Sequence, residues 1–171
     1  MLWRDFIAGT SLADPATRLR VCTPEDDGFC RVLFHEQRQA QFAPLGLSDA
    51  VLSVLLDQQY RAQQAGYARD YPKAEILMIE NQRARVGRLV LALDGDTLHL
   101  VDIALVAAAR RRGIGSVVIG GLLHAAPAMG TARCSLSVLA SNLLARQLYE
   151  RLGFVGKPGG DAHLQMIKLL K

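Results

Sequence analysis

The stretch AAARRRGIGSVV, from Ala107 to Val118, sets three arginines against a Gly-Ile-Gly turn and runs directly into an apolar, helix-like segment. Like charges this close repel one another, so the cluster suits an anion that carries several negative charges. A glycine-rich turn at a helix start exposes successive backbone N–H groups at the positive end of the helix dipole, and the missing side chains let an anion approach closely. The stretch therefore reads as a phosphate site between a strand and a helix.

The pattern on either side supports that placement. Upstream, AEILMIE, RVGRLVLAL and TLHLVDIALV read as three consecutive strands, joined by NQRA and by the hairpin turn Asp94-Gly95-Asp96, an antiparallel meander. Before the meander, RLRVCT (18–23) alternates as a half-buried strand. A first helix follows it, with Thr23, Pro24 and Asp26 supplying capping signals. After the break at FAPLGLSD, Ser48 or Asp49 caps a second helix with an apolar stripe through Val51, Leu52, Leu55, Leu56 and Tyr60. Downstream of the turn a third helix runs to about Ala126 and RCSLSVL returns as a strand. Ser141 can cap a fourth helix ending at Gly153, and FVGK and HLQMIKLL are the last strands. The order is β-α-α-β-β-β-α-β-α-β-β, a mixed α/β fold, preceded by a polar leader over 1–17 expected to stand outside a single domain over 18–171.

Composition narrows the function classes. Half of the 171 residues are apolar, enough for one domain with a real core. The formal charge is +4, with basic residues scattered apart from the one cluster, and neither interleaved aromatics nor a second basic patch points to nucleic acid. Cys22, Cys30 and Cys134 form no CxxC pair, so neither a disulfide framework nor a zinc site is expected, and the four histidines show no metal-ligand spacing. Arg4 and Asp5 interrupt the apolar residues at the start, and no apolar run reaches membrane-spanning length. The expectation is a cytoplasmic protein, monomer or homodimer, that binds neither nucleic acid nor membrane and needs no metal.

Three phosphate-binding patterns compete for the turn. A Walker loop needs Gly-Lys-Ser or Gly-Lys-Thr, which the chain lacks. A Rossmann fingerprint needs a glycine where Val118 stands and an acidic residue about 20 positions on, where the next strand supplies Cys, Ser and Leu. The third, R-x-x-G-x-G/A, is met as Arg110-Arg111-Arg112-Gly113-Ile114-Gly115. This loop resembles the acetyl-CoA loop of the GNAT acetyltransferase family. SNLLARQLYERLGF (141–154) is similar to that family's second signature, N-x-x-A-x-x-L-Y-x-x-x-G-F, with Asn142, Ala145, Leu148, Tyr149, Gly153 and Phe154 in place.

The resemblance implies an N-acetyltransferase that moves an acetyl group from acetyl-CoA to a primary amine of a small molecule or peptide. Larger acyl donors and a non-catalytic acyl-CoA sensor remain alternatives. It implies that Arg110 to Ser116 hold the pyrophosphate, that Ile103, Ala104 and Leu105 pair with the pantetheine arm like an added strand, that Asn142 borders the coenzyme, and that Tyr149 is the general acid. An amine acceptor, with a pKa of about 8 to above 10, must lose a proton before attack. Many relatives carry a Glu for that step five residues before the signature Asn, where this chain has Ser137. Asp102 and His99 are the titratable residues on the strand before the loop, and their opposite parity predicts opposite faces of a regular strand. Asp102, next to the pantetheine-binding strand end, is the preferred base; His99, or a water chain to solvent, stays open. The acceptor site is expected from HEQRQAQFAPLGLSD (35–49) and GKPGGDAH (156–163).

Overall fold

The structure is a computed structural model, and it describes residues 3–157 and 162–170. Seven strands form one sheet in the order β1-β2-β3-β4-β5-β7-β6. They are β1 (Thr17–Val21), β2 (Glu75–Asn81), β3 (Ala84–Asp94), β4 (Thr97–Leu105), β5 (Arg133–Leu139), β6 (Val155–Gly156) and β7 (His163–Leu169). All neighbours run antiparallel except β4 and β5, which run parallel. The helices are α1 (Trp3–Gly9), α2 (Asp27–Phe42), α3 (Asp49–Asp70), α4 (Ile114–Ala125) and α5 (Leu143–Arg151).

Strand alternation divides the core. Leu77 and Ile79 of β2 and Leu89 and Leu91 of β3 point to one face, where Ile114, Val118, Ile119 and Leu122 of α4 and Tyr149 of α5 close the larger cluster. Met78, one residue out of phase, turns to the other face and meets Cys30 and Phe34 of α2 and Leu56 and Tyr60 of α3. Burial of these side chains, at about 1.5–3 kcal/mol each, holds the layers together.

Three local expectations change. The leader does not stand outside the domain: Trp3, Phe6 and Ile7 sit at helical spacing in α1, and Phe6 is buried in the larger cluster. The following turn lies so close to α4 that a Cβ on Gly121 would come within 2.9 Å of the Ser11 carbonyl. Asn142, rather than Ser141, caps α5: its Oδ1 accepts from the Ala145 N–H at 3.2 Å. The Thr23–Asp26 box opens a short 3₁₀ turn, and α2 itself starts at Asp27. In that box Asp26 accepts from the Thr23 N–H at 2.9 Å and from Arg20 at 2.6 Å, and these bonds hold its carboxyl far below the usual carboxylate range.

Candidate active site

The site begins with a fault in β4. Val90 of β3 pairs with Asp102 and the next residue, Leu91, pairs with Leu100, so Val101 is an extra residue in β4. A bulge of this kind bends its strand and increases the local twist. The pairing of β4 with β5 accordingly runs only from Thr97↔Arg133 to Leu100↔Leu136. Beyond the bulge the two parallel strands part, and the gap between them is a cleft of about 1070 Å³.

The bulge also corrects the parity expectation. His99 pairs with Ala92 and Asp102 with Val90, positions two apart on β3, so the two residues share a face. That face is the one covered by α2 and α3. His99 shares a 2.6 Å hydrogen bond through Nδ1 with Ser135 Oγ, and its ring lies 6.0 Å from that of Tyr71. Of the two, Asp102 lines the gap and His99 does not.

Past the bulge the free edge of β4 becomes usable. The Val106 N–H bonds to the Val86 carbonyl on β3 at 2.9 Å, so by strand alternation the N–H and C=O of Ile103 and Leu105 point away from β3, into the gap. Arg110 Nε donates to the Leu105 carbonyl at 2.9 Å, and its Nη2 lies 3.8 Å from Glu36 of α2. Glu36 in turn accepts from the Ala107 N–H at 2.6 Å. Arg110 thus stitches the strand end to its own loop, while Arg111 lines the mouth of the gap in the left-handed region at φ 57°.

Gly113 follows with φ 81°, a conformation that disfavours a side chain, and no atom lies within 4 Å of where its Cβ would be. The first intrahelical bond of α4 runs from the Val117 N–H to the Gly113 carbonyl at 3.0 Å. The amides from Gly113 to Ser116 precede that ladder, and at a helix start such N–H groups have no intrahelical acceptor. Gly113, Ile114, Gly115 and Ser116 all line the gap. Ile103, Leu105, Arg110, Asn142 and Tyr149 line it too, whereas Ala104, which is 2% exposed, and Arg112 do not.

Tyr149 enters the gap from the opposite core. It is 7% exposed, its ring meets Phe154 edge-on at 5.9 Å, and burial, aided by the negative charge of Asp102, pushes its hydroxyl up to about 12. The parted strands therefore let a residue from each face of the sheet reach one cavity.

Sequence reasoning missed the support of Asp102. Arg88 Nη2 donates to Asp102 Oδ2 at 2.6 Å and to Gln63 Oε1 of α3 at 3.1 Å, and its guanidinium lies 5.9 Å from the Tyr67 ring. A charge in the middle of the apolar run RVGRLVLAL was the available signal. From the two expected acceptor segments, Gln37 and His163 line the gap, while His35 turns instead to Asp57 at 2.8 Å. Pro158 to Asp161 lie outside the described residues. Among the described residues no helix is long and apolar enough to cross a membrane, and no group of three His, Cys, Asp or Glu side chains could hold a metal ion.

Solved structures share this fold at low identity. The chain is similar to the PaiA N-acetyltransferase of Thermoplasma acidophilum, solved with coenzyme A, at 15% identity and TM-score 0.70 over 90% of this chain and 98% of that one. It is similar to an acetyltransferase of Thermus thermophilus at 20% identity and TM-score 0.64, over 91% and 97% of the two chains. Ard1 of Thermoplasma volcanium matches at 18% identity and TM-score 0.61, over 91% and 99%. No curated protein matches the sequence. The model of the acetyltransferase (GNAT) family matches residues 36–154, which span the gap, the turn at Gly113 and Tyr149, and the chain belongs to that family.

Proposed function

We propose that the chain is an acetyl-CoA-dependent N-acetyltransferase acting on a primary amine of a small molecule or peptide. The observation that carries this reading is the gap itself, which joins the free amides at the start of α4, the free edge of β4, and the side chains of Asp102 and Tyr149 in one cavity. The residues fit a coenzyme A thioester. The turn at Gly113 is open to a pyrophosphate, Arg111 adds charge at the mouth, and Ile103 and Leu105 offer the β4 edge to an extended arm.

Bound acetyl-CoA supplies an activated acetyl thioester. The protein's part is to orient it and to move protons. Asp102, which lines the gap together with Gln37 of α2, accepts a proton from the acceptor ammonium, and the freed amine attacks the carbonyl carbon. The C–N bond forms as the C–S bond breaks. Of the two protons the ammonium gives up, one passes through Asp102 to solvent and the other ends on the sulfur. With its hydroxyl held at about 12, Tyr149 is a weaker acid than a thiol of about 8.5. It stays protonated at working pH and donates a hydrogen bond to the charge developing on sulfur.

The test is thiol release from acetyl-CoA across a panel of amines, with calorimetry of coenzyme A binding alongside. Amine-dependent thiol release supports the enzyme. Tight binding with no release on any amine supports a sensor instead, and would remove Asp102 and Tyr149 from chemistry.

A further inference from the structure

Arg88 sits in the middle of β3, paired with Met78 on one side and Ala104 on the other, and is 2% exposed. Burying a guanidinium costs several kcal/mol unless partners and geometry offset it. Here the offset is incomplete. Nη2 makes both hydrogen bonds, to Asp102 Oδ2 and Gln63 Oε1, while Nε and Nη1 have no partner among the described residues. Unpaired donors on a buried charge cost stability, and replacing a buried pair by apolar side chains of similar volume is often neutral or stabilising. Packing alone gives no reason to keep a half-satisfied charge at this position.

Its direction gives one. The Val101 bulge delivers Asp102 to the face that Arg88 occupies, at the point where β4 leaves β5. The bond to Arg88 uses Oδ2, and the carboxylate, 26% exposed, borders the gap. Arg88 does not border it. Behind Arg88, Gln63 of α3 accepts from the guanidinium, while Tyr67 of the same helix stands 5.9 Å from it and close enough to Asp102 for burial and the carboxylate together to push its hydroxyl up, so Arg88 is the charged contact and Tyr67 a neutral one on the same carboxylate.

We propose that Arg88 is a positioning residue for acyl transfer: it clamps Oδ2 of Asp102 and thereby holds the other carboxylate oxygen toward the acceptor amine. This rests on the proposed role of Asp102 in the acetyltransferase reading. The gain is orientational. A carboxylate on a freely rotating χ1 and χ2 spends part of its time turned out of reach of the amine, and misplacement by about 1 Å can cost on the order of 100-fold in rate.

The test is a double-mutant cycle read in kcat for thiol release and in coenzyme A affinity. Arg88→Met keeps the length and packing of the side chain without its charge or donors. It should lower kcat about 10- to 100-fold with coenzyme A affinity unchanged, because Arg88 lies outside the gap. In an Asp102→Asn background the same substitution should cost no further turnover, since its effect passes through Asp102. An equal loss in both backgrounds would show that Arg88 acts through general packing, and wild-type turnover in Arg88→Met would show that Asp102 needs no clamp; either overturns the proposal. Arg88→Lys covers the case in which the Met variant does not fold. It keeps a charge but loses the fork, and should reduce kcat about 3- to 10-fold only when Asp102 is present. Wild-type turnover in Asp102→Asn alone overturns the role of Asp102 and the clamp with it. Amine-dependent thiol release by the unmutated protein would leave the acetyltransferase reading standing in that case.

Discussion

The two ends of the gap between β4 and β5 are built in opposite ways. The end proposed to take phosphate is one contiguous stretch, Ala107 to Ser116, whose free groups are backbone amides shaped by two left-handed residues, Arg111 and Gly113, and braced from α2 by Glu36. The end proposed to take the amine is assembled from afar. Asp102 lies beside a bulge in its own strand and is met by Arg88 of β3, which Gln63 of α3 holds in turn, and by Tyr67 of α3. A backbone site depends on local conformation and little on side-chain identity. A side-chain site is the reverse: each supporting residue has to be present and aimed.

The largest expected effect lies where the two ends meet, at Tyr149. Tyr149→Phe keeps the ring, its edge-on contact with Phe154 and its place in the core, and deletes only the hydroxyl. Turnover in thiol release should fall about 10²- to 10³-fold with thermal stability and coenzyme A affinity close to those of the unmutated protein. The loss should shrink with a thioester whose thiol is more acidic, which needs less help in leaving. The pH profile adds a second check. A hydroxyl pushed up to about 12 keeps its proton as the pH rises through 10, so Tyr149 should contribute no fall in kcat below that point. A Phe variant with full turnover would return Tyr149 to packing.

Next in size is the backbone of the phosphate end. Gly113 stands at φ 81° with empty space around its Cβ position, so Gly113→Val meets conformational strain rather than a clash. Strain of about 1–3 kcal/mol would be relieved by turning the amides away from the ligand. Coenzyme A affinity should fall about 10- to 100-fold by calorimetry, and Gly113→Ala, with less bulk at the same φ, should fall less. Unchanged affinity in a folded Val variant would mean that the phosphate is held elsewhere. The same substitution should leave kcat at saturating acetyl-CoA nearly intact, which is the contrast with Tyr149.

The opposite constructions also explain which parts of the site could be read from the sequence. The turn at Gly113 and the helix carrying Tyr149 are local: glycine at a left-handed position and the 3.6-residue spacing of Asn142, Ala145 and Tyr149 are written in consecutive residues. From β1 onward the order of strands and helices was legible for the same reason, since each is set by its own periodicity and caps. Asp102 stands out as a candidate, but its relation to His99 was not legible, because counting residues assumes a regular strand and nothing in LHLVDIAL marks Val101 as the extra one. Glu36 lies 71 residues from the Ala107 amide it accepts from, and no local pattern joins them. Arg88 was visible as a charge inside an apolar strand, and the stripe of Trp3, Phe6 and Ile7 was visible as a helical face in what reads as a polar leader. Both were signals of burial that composition alone obscures.

The smallest effects separate the arginines that first drew attention to the loop, and they test whether its charge or its shape matters more. By sequence the residues of the cluster are equivalent. In the structure both Arg110 and Arg111 are exposed and border the gap, but Arg110 also bonds the Leu105 carbonyl and approaches Glu36, whereas Arg111 makes no such bond among the described residues. Arg110→Ala removes a brace, frees the Leu105 carbonyl and takes away the cation beside Glu36, so coenzyme A affinity should drop about tenfold, about 1.4 kcal/mol, with a small loss of melting temperature. Salt should change this little, because the brace acts through geometry. Arg111→Ala removes only an exposed cation near the ligand phosphates, a contribution of about 0.5–1 kcal/mol that solvent and counterions screen. Its affinity loss should be a few-fold at low salt and should fade as salt is raised, with melting temperature unchanged. The measurement is a pair of titrations at two ionic strengths for each variant. If Arg111→Ala proved the more costly and its cost persisted in salt, the phosphate end would depend on a specific charged side chain, and the contrast between a backbone-built end and a side-chain-built end would fail.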